Sequence, residues 1–227
     1  MDTDPRVVRG ASRHRLVVPS RMASLAAVTG GLLWVGYGLL AMLRPLGIDV
    51  VYREELGYSV VVAVPVFVAY NLPGSIALVL TSIGLLGITP NAVRRDQPME
   101  RATRWLAYVA VALGVISLAG VVLLVDPVFT TARIFGTLAL GAATVTAAVA
   151  ARQSGADTAW VALLGVLGIL GLLLFPLWPL VYMLTWFTET IGALVFAVFG
   201  IGWLVVGWRL RQEAGRAGTG NTAPADP

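Results

Sequence analysis

Cysteine is absent from the 227 residues of the chain, and the only histidine is His14, near the N-terminus. The absence of cysteine excludes disulfide bonds, thiolate nucleophiles and cysteine-ligated metals. A single histidine in a polar tail excludes a Ser-His-Asp triad and a histidine metal cluster within the apolar part of the chain. The sequence also lacks the glycine-rich motifs that bind phosphate groups. We therefore predict no catalytic residues, no metal site and no cofactor.

Charged residues are scarce, at 12% of the chain against 58% hydrophobic residues, and the hydrophobic residues form long uninterrupted blocks. A water-soluble fold cannot cover that much continuous apolar surface. All 16 basic residues are arginine, and they lie between the blocks and in the tails, where membrane orientation explains them better than nucleic-acid binding does. The composition therefore predicts an integral membrane protein surrounded by the lipid bilayer.

Six apolar blocks are long enough to cross a bilayer, which needs about 20 apolar residues. They predict an all-α, single-domain bundle of six transmembrane helices, with a basic tail over residues 1–21 and a disordered tail over 210–227. The predicted spans cover about residues 22–43, 59–88, 105–125, 134–151, 159–182 and 188–208. Residues 126–133, which begin with Asp126-Pro127, are assigned to a short connection.

The second block, residues 59–88, has no charged residue. As a helix it would be about 45 Å long, too long for one straight crossing of a core about 30 Å thick. Asn71, Pro73 and Gly74 near its middle form a helix-breaking signal. We interpret the block as one crossing that is broken or kinked at residues 71–74, with residues 59–70 either crossing the membrane or lying at its outer interface.

Arginine is distributed unequally between the two sides of the predicted bundle. Thirteen of the 16 arginines lie on the side that holds both termini, and Arg44, Arg53 and Arg133 lie on the other. The positive-inside rule then predicts a multi-pass protein of the cell membrane with both termini in the cytoplasm. Removing the second span would place the arginine-rich segment 89–104 outside, against that rule.

The predicted break suggests a cavity, because irregular backbone at that depth is tolerated only inside protein or beside water. Counting along the spans places several polar side chains in the outer half of the bundle. The predicted ligand-binding cavity is lined by Tyr37, Tyr70, Asn71, Ser117 and Glu189, with Pro73 and Gly74 at the helix break. The alternatives for Asn71 are a hydrogen bond to a neighbouring helix and a cap on the half-helix that starts at Pro73. The alternative for Glu189 is an interfacial position at a helix N-terminus.

Small residues mark surfaces on which membrane helices pack closely. Ala139, Ala143 and Ala147 recur at every fourth position of the fourth span. The first and sixth spans share a spacing, Gly31-x-x-Trp34-x-x-x-Gly38 and Gly200-x-x-Trp203-x-x-x-Gly207. We interpret this spacing as coincidence, because an inverted repeat would pair the first span with the fourth.

The sequence leaves three classes of function open. The glycine and alanine faces favour a non-enzymatic protein that acts by packing with lipid, with a membrane partner protein or with a second copy of itself. The break in the second span favours a small-solute transporter or channel. An enzyme would need outer carboxylates such as Asp126 and Glu189 to lie within about 10 Å of each other. The first class is the one that the residue pattern supports most.

Overall fold

The computed structural model of the chain describes residues 20–43, 50–92, 98–174 and 188–219. This part contains six α-helices and one two-stranded antiparallel β-hairpin. The helices are α1 (Ser20–Leu43), α2 (Val64–Ala92), α3 (Pro98–Val122), α4 (Asp126–Gln153), α5 (Thr158–Leu173) and α6 (Thr188–Thr219). The hairpin pairs β1 (Val50–Arg53) with β2 (Tyr58–Val61) and lies between α1 and α2 in the chain.

Five of the helices are long and apolar enough to cross a membrane, and α5 is shorter, with 16 residues. The predicted all-α membrane bundle is therefore confirmed, whereas the count of six spans is not. Large apolar side chains such as Leu32, Phe135 and Ile201 are exposed on the outside of the bundle. Such a surface is suited to hydrocarbon and unsuited to water.

Helix α2 differs from the predicted second span at its start and in its middle. Residues 59–61 belong to β2, so the helix begins at Val64 and not at residue 59. The helix continues without interruption through Pro73 and Gly74, so the predicted break or kink there is not confirmed. A proline removes only one backbone hydrogen bond, and membrane helices tolerate that loss when neighbouring groups pack around it.

Two other helices extend beyond their predicted spans. Helix α4 begins at Asp126, with Pro127 in its first turn, so the prediction that residues 126–133 form a connection is wrong. Proline is favoured in a first helical turn because its missing N–H has no intrahelical partner there. Helix α6 continues to Thr219, so residues 210–219 are helical and not part of a disordered tail. The predicted turn near residues 183–188 lies mostly in 175–187, outside the described residues.

The bundle has two ends, which we name by what they carry. The hairpin end carries β1 and β2, the last turns of α1 and α3, and the first turns of α2 and α4. The tail end carries the first turn of α1, the turn between α4 and α5, and the last turns of α6. Consecutive helices from α1 to α5 pack against one another in order, α2 also contacts α4, and α6 returns to pack against α1.

The interface between α1 and α6 brings two backbones together at glycine. A Cβ atom built on Gly31 would lie 2.7 Å from the backbone oxygen of Gly200, and one built on Gly200 would lie 2.6 Å from the backbone oxygen of Gly31. Trp34 and Trp203, three residues after each glycine, are fully buried. Gly31 and Gly200, which occupy equivalent places in the spacing shared by the first and last spans, therefore meet in one helix–helix interface.

Hydroxyl groups link the helices at several levels. Ser24 Oγ on α1 donates to the backbone oxygen of Gly207 on α6 at 2.8 Å, near the tail end. Thr103 Oγ1 on α3 donates to Thr146 Oγ1 on α4 at 2.9 Å. Such bonds stabilise membrane bundles because a hydroxyl in hydrocarbon has few other partners.

Candidate functional site

Arg133 lies inside the bundle, with 2% of its surface exposed. It is on α4, about 10 Å along the helix from Asp126 at the hairpin end. A charged side chain at such a place costs on the order of 3 kcal/mol, and it marks a candidate functional site by default. Polar side chains on three other helices reach nearly the same level: Tyr37 near the end of α1, Asn71 near the start of α2 and Ser117 near the end of α3.

Two aromatic rings and an amide oxygen contact the guanidinium of Arg133. Its Cζ lies 4.0 Å from the centroid of the Tyr37 ring and 5.2 Å from that of Phe129. Both distances are within the range of cation–π attraction, which strengthens when the cation is withdrawn from water. Nη1 donates to Oδ1 of Asn71 at 3.5 Å, a long hydrogen bond. Arg133, Tyr37, Asn71 and Gly74 together form what we call the arginine centre.

Asn71 is fixed by its own helix. Its Nδ2 donates to the backbone oxygen of Phe67 at 2.9 Å, which turns the amide oxygen toward Arg133. The side chain is 2% exposed, so this orientation is held in the protein interior. Asn71 thus has the interhelical hydrogen bond that the sequence offered as an alternative, and its partner is a charged group.

Gly74 provides the space that the guanidinium occupies. A Cβ atom at this position would overlap Nη2 of Arg133, and it would lie 2.9 Å from Cζ and 3.1 Å from Cδ2 of Tyr37. Any side chain at position 74 would therefore compete with Arg133 for the same volume. Gly74, which was expected to break α2, therefore leaves room for the buried guanidinium of Arg133.

A hydroxyl pair extends the arginine centre toward α3. Ser75 Oγ donates to the backbone oxygen of Asn71 at 3.3 Å, and it lies 2.9 Å from Ser117 Oγ. Both serines are fully buried. Asn71 and Ser117, which the sequence placed in one cavity, are thus connected through a serine that the sequence did not single out.

A small apolar cluster lies between the arginine centre and the hairpin. Its buried members are Phe67, Val121 and Phe129, and we call it the apolar cap. Each member lies one helical turn closer to the hairpin end than a polar residue of the same helix. The pairs are Phe67 and Asn71, Val121 and Ser117, and Phe129 and Arg133. Val50 and Val61, which are paired across the hairpin, pack against the cap. The cap and the hairpin together separate the arginine centre from this end of the bundle.

The remaining predicted site residues lie elsewhere. The hydroxyl of Tyr70 is 3.5 Å from the backbone oxygen of Leu43, at the hairpin end of α1. Pro73 is an ordinary helical residue of α2. The side chain of Glu189 lies outside the described residues, so its place in a cavity, and its distance from Asp126, stay predictions.

Arg133 was not identified from the sequence, because the predicted fourth span begins at residue 134, directly after this charged residue. Asp126-Pro127 was the available signal, since an acidic residue followed by proline is typical of a helix start. A helix that begins at Asp126 carries Arg133 two turns inward, into the level of Asn71 and Ser117. Assigning Asp126-Pro127 to the start of α4 therefore places Arg133 inside the bundle and not in a loop.

A second feature, a cleft of about 330 Å³, lies at the tail end between the α4–α5 turn and the last turns of α6. Arg209 lines it and donates from Nη2 to Oδ2 of Asp157 at 3.0 Å, while its Cζ lies 4.9 Å from the Trp160 ring. The hydrogen bond from Arg209, then the backbone N–H of Ala159, hold the pKa of Asp157 below its usual range. The contact brings the start of α5 and the end of α6 to the same end of the bundle.

We expect Asp157 to add a small stability that depends on pH. Because its pKa is lower in the folded protein than in the unfolded chain, the contribution is present at neutral pH and is lost as the pH falls below about 4. Thermal unfolding in detergent between pH 7 and pH 3 measures it. Asp157→Asn retains a side chain able to cap α5 but loses the charge, so it should lack this part of the acid dependence. Equal acid dependence in both proteins would contradict the assignment.

Within the residues that the structure describes, no three His, Cys, Asp or Glu side chains lie close enough together to hold a metal ion. Comparisons of the chain with protein-family models, with curated proteins and with solved structures find no match.

Proposed function

We propose that the protein is a small-solute transporter or channel whose site is the arginine centre. The observation that carries the proposal is the guanidinium of Arg133, buried inside the bundle against Tyr37 of α1 and Asn71 of α2. Ionisable groups inside membrane bundles are costly, and they recur on the pathways of transported solutes and ions. The apolar cap closes the centre from the hairpin end, as expected for a protein that admits its solute only when the cap opens.

The other leading class, a protein that acts by packing with lipid or a partner, has less support from the small residues. Ala143 is fully buried, and Ala139 and Ala147 are at most 9% exposed. The glycines of α1 and α6 face each other inside the bundle. These surfaces are used within the chain, so they do not supply a docking face for another protein.

We further propose six spans, with the hairpin end outside the cell and both tails in the cytoplasm. The contact between Asp157 and Arg209 supports an even number of crossings between them, and α6 is long enough to make one. The other crossing would begin with α5. The arginine distribution supports the orientation.

Single-cysteine labelling tests the proposal, since the natural chain has no cysteine to interfere. We expect a membrane-impermeant methanethiosulfonate reagent, added to intact cells, to react slowly with Ser75→Cys. Truncating the cap with Phe129→Ala should raise that rate about tenfold or more. A buried Phe→Ala change removes about 3–5 kcal/mol of packing, and 1.4 kcal/mol in the opening equilibrium corresponds to a factor of ten.

Phe135→Ala is the matched control, because Phe135 lies on the same helix but is 57% exposed on the outside of the bundle. It should leave the labelling rate unchanged. If Ser75→Cys stays unreactive in the Phe129→Ala protein, no path leads from outside to the arginine centre and the proposed function is wrong. Glu55→Cys should react in intact cells, whereas Ser154→Cys and Gln212→Cys should react only after permeabilisation; any other pattern contradicts the six spans or their orientation.

Packing with a partner remains the second candidate because of Gly36 on α1 and Gly165 on α5. A Cβ atom at either position meets nothing within 4 Å, so both lie on open faces of the bundle. Gly36→Leu should then abolish co-purification of a partner or a second copy without lowering stability. Ala143→Leu cannot make this test, because the residue is buried and the variant would disrupt the core.

A further inference from the structure

We infer that the tail end of the bundle binds the headgroup of an anionic phospholipid between Arg21 of α1 and Arg211 of α6. The inference goes beyond the proposed function, because it concerns the outer surface of the bundle and holds whether or not a solute passes through the interior. Both side chains are exposed. Neither forms an ion pair or a hydrogen bond within the part of the chain that the structure describes.

Contacts between α1 and α6 place the two arginines at the same level. Helix α1 begins and α6 ends at the tail end, and Ser24 Oγ of α1 donates to the backbone oxygen of Gly207 of α6 at 2.8 Å. A Cβ atom built on Gly207 would lie 2.8 Å from the backbone nitrogen of Val28, so the helices touch here. Arg21 lies three residues before Ser24, and Arg211 lies four residues after Gly207. They are therefore about 4.5 Å and about 6 Å beyond this contact, toward the tail end.

Both arginines stand at the end of an apolar surface that faces lipid. Leu25, four residues after Arg21, is 65% exposed, and Trp208, three residues before Arg211, is 62% exposed. Residues three or four apart share a helix face. Each arginine is therefore aligned with an exposed apolar side chain of its own helix, on the outside of the α1–α6 interface. We call the two arginines with Leu25 and Trp208 the seam site.

A phosphodiester is the group that the seam site is suited to bind. The axes of packed helices lie about 8–10 Å apart, a distance over which two arginine side chains can reach one phosphate group. Guanidinium groups bind phosphate oxygens through two parallel hydrogen bonds, and an anion between them relieves their mutual repulsion. Leu25 and Trp208 are suited to acyl chains and to the membrane interface. We therefore assign the phosphate to a lipid and not to a free phosphate ion.

Other arginines of the tail end are placed differently. Arg104 and Arg209 each pair with an acidic side chain of the bundle. Arg101 of α3 and Arg152 of α4 are exposed and, among the described residues, form no ion pair. Thr103 bonds to α4, and Arg101 is two residues away, about 200° around the helix from that contact. Arg101 and Arg152 therefore do not share the edge of one interface, and they provide a matched control.

Native mass spectrometry of the full chain in detergent micelles tests the inference with phosphatidylglycerol, which is anionic, and phosphatidylcholine, which is zwitterionic. We expect the first phosphatidylglycerol to bind at least about tenfold more tightly than the first phosphatidylcholine. The double variant Arg21→Gln, Arg211→Gln should reduce this ratio to about two or less. Arg101→Gln with Arg152→Gln removes the same charge from the same end and should leave the ratio unchanged. Arg21→Lys with Arg211→Lys should restore part of it, because the charge returns without the paired hydrogen bonds.

Several outcomes would overturn the inference. Equal ratios in the two glutamine double variants would show that the preference comes from the net charge of the tail end and not from the seam site. Equal affinity of the natural protein for both lipids would exclude the site altogether. Displacement of phosphatidylglycerol by millimolar inorganic phosphate would show that the site holds a free anion. The labelling of Ser75→Cys should not change in the Arg21→Gln, Arg211→Gln protein, so failure of the lipid site and failure of the proposed function are distinguishable.

Discussion

Gly74→Ala is expected to destabilise the protein by about 3 kcal/mol, although alanine is the better helix former. The new Cβ atom would occupy the volume of the Arg133 guanidinium, and Tyr37 closes the adjoining space. The arginine is flexible, but it is buried, so displacement moves its charge away from the Tyr37 ring and the Asn71 oxygen into apolar surroundings. Unfolding in mixed micelles, followed by circular dichroism, measures the change.

Gly36→Ala is the control for Gly74→Ala. It makes the same chemical change inside a helix, but a Cβ atom at position 36 meets nothing within 4 Å. This variant should be as stable as the natural protein or slightly more so, because the change from glycine to alanine in a helix favours folding by up to about 1 kcal/mol. If Gly74→Ala is equally stable, the guanidinium does not occupy the space above Gly74 and the arginine centre is wrongly described.

Gly31→Ala and Gly200→Ala should each destabilise the bundle by about 2–3 kcal/mol. In each case the new methyl group would contact the backbone of the opposite helix, and backbone cannot move aside as a side chain can. The two helices must therefore separate, which loosens the packing of Trp34 and Trp203 on both sides of the contact. The same unfolding measurement, made on both single variants, tests the size of the effect.

The double variant gives the sharper result. Once one alanine has separated the helices, the second finds space already open, so the two losses should sum to more than the loss in the double variant by about 1 kcal/mol. Gly165→Ala on α5, where a Cβ atom meets nothing, should add to Gly31→Ala without coupling. Strict additivity of Gly31→Ala and Gly200→Ala would contradict a direct contact between the two positions.

The sequence predicts the membrane class and most helix positions, because these follow from long apolar runs that need no tertiary information. Its errors occur where tertiary contacts override a local signal. Pro73 and Gly74 read as a break, but α2 remains helical because α1 and α4 pack around it and Arg133 fills the space beside Gly74. The sequence alone does not show that Arg133, on α4, occupies the space beside Gly74 on α2.

The candidate site was predictable in part. Tyr37, Asn71 and Ser117 were placed at one depth by counting along helices, and the structure gathers them around one level. Arg133 was missed because it was counted as a loop charge for the orientation rule. Ser75 was missed because serine is common in membrane helices, and only the position of Ser117 opposite it gives it a role.

The pairing of α1 with α6 has a consequence for how the chain is made. Helix α1 is synthesised before α6, against which its glycine surface packs, so Gly31 has no native partner until Gly200 has been synthesised. During that interval the close-packing face of α1 is open to lipid and to any other small-residue helix in the translocation site. Folding of the bundle therefore depends on keeping α1 from pairing with other helices until α6 has been synthesised, and variants that slow synthesis of α6 should be lost to quality control before they are lost to instability.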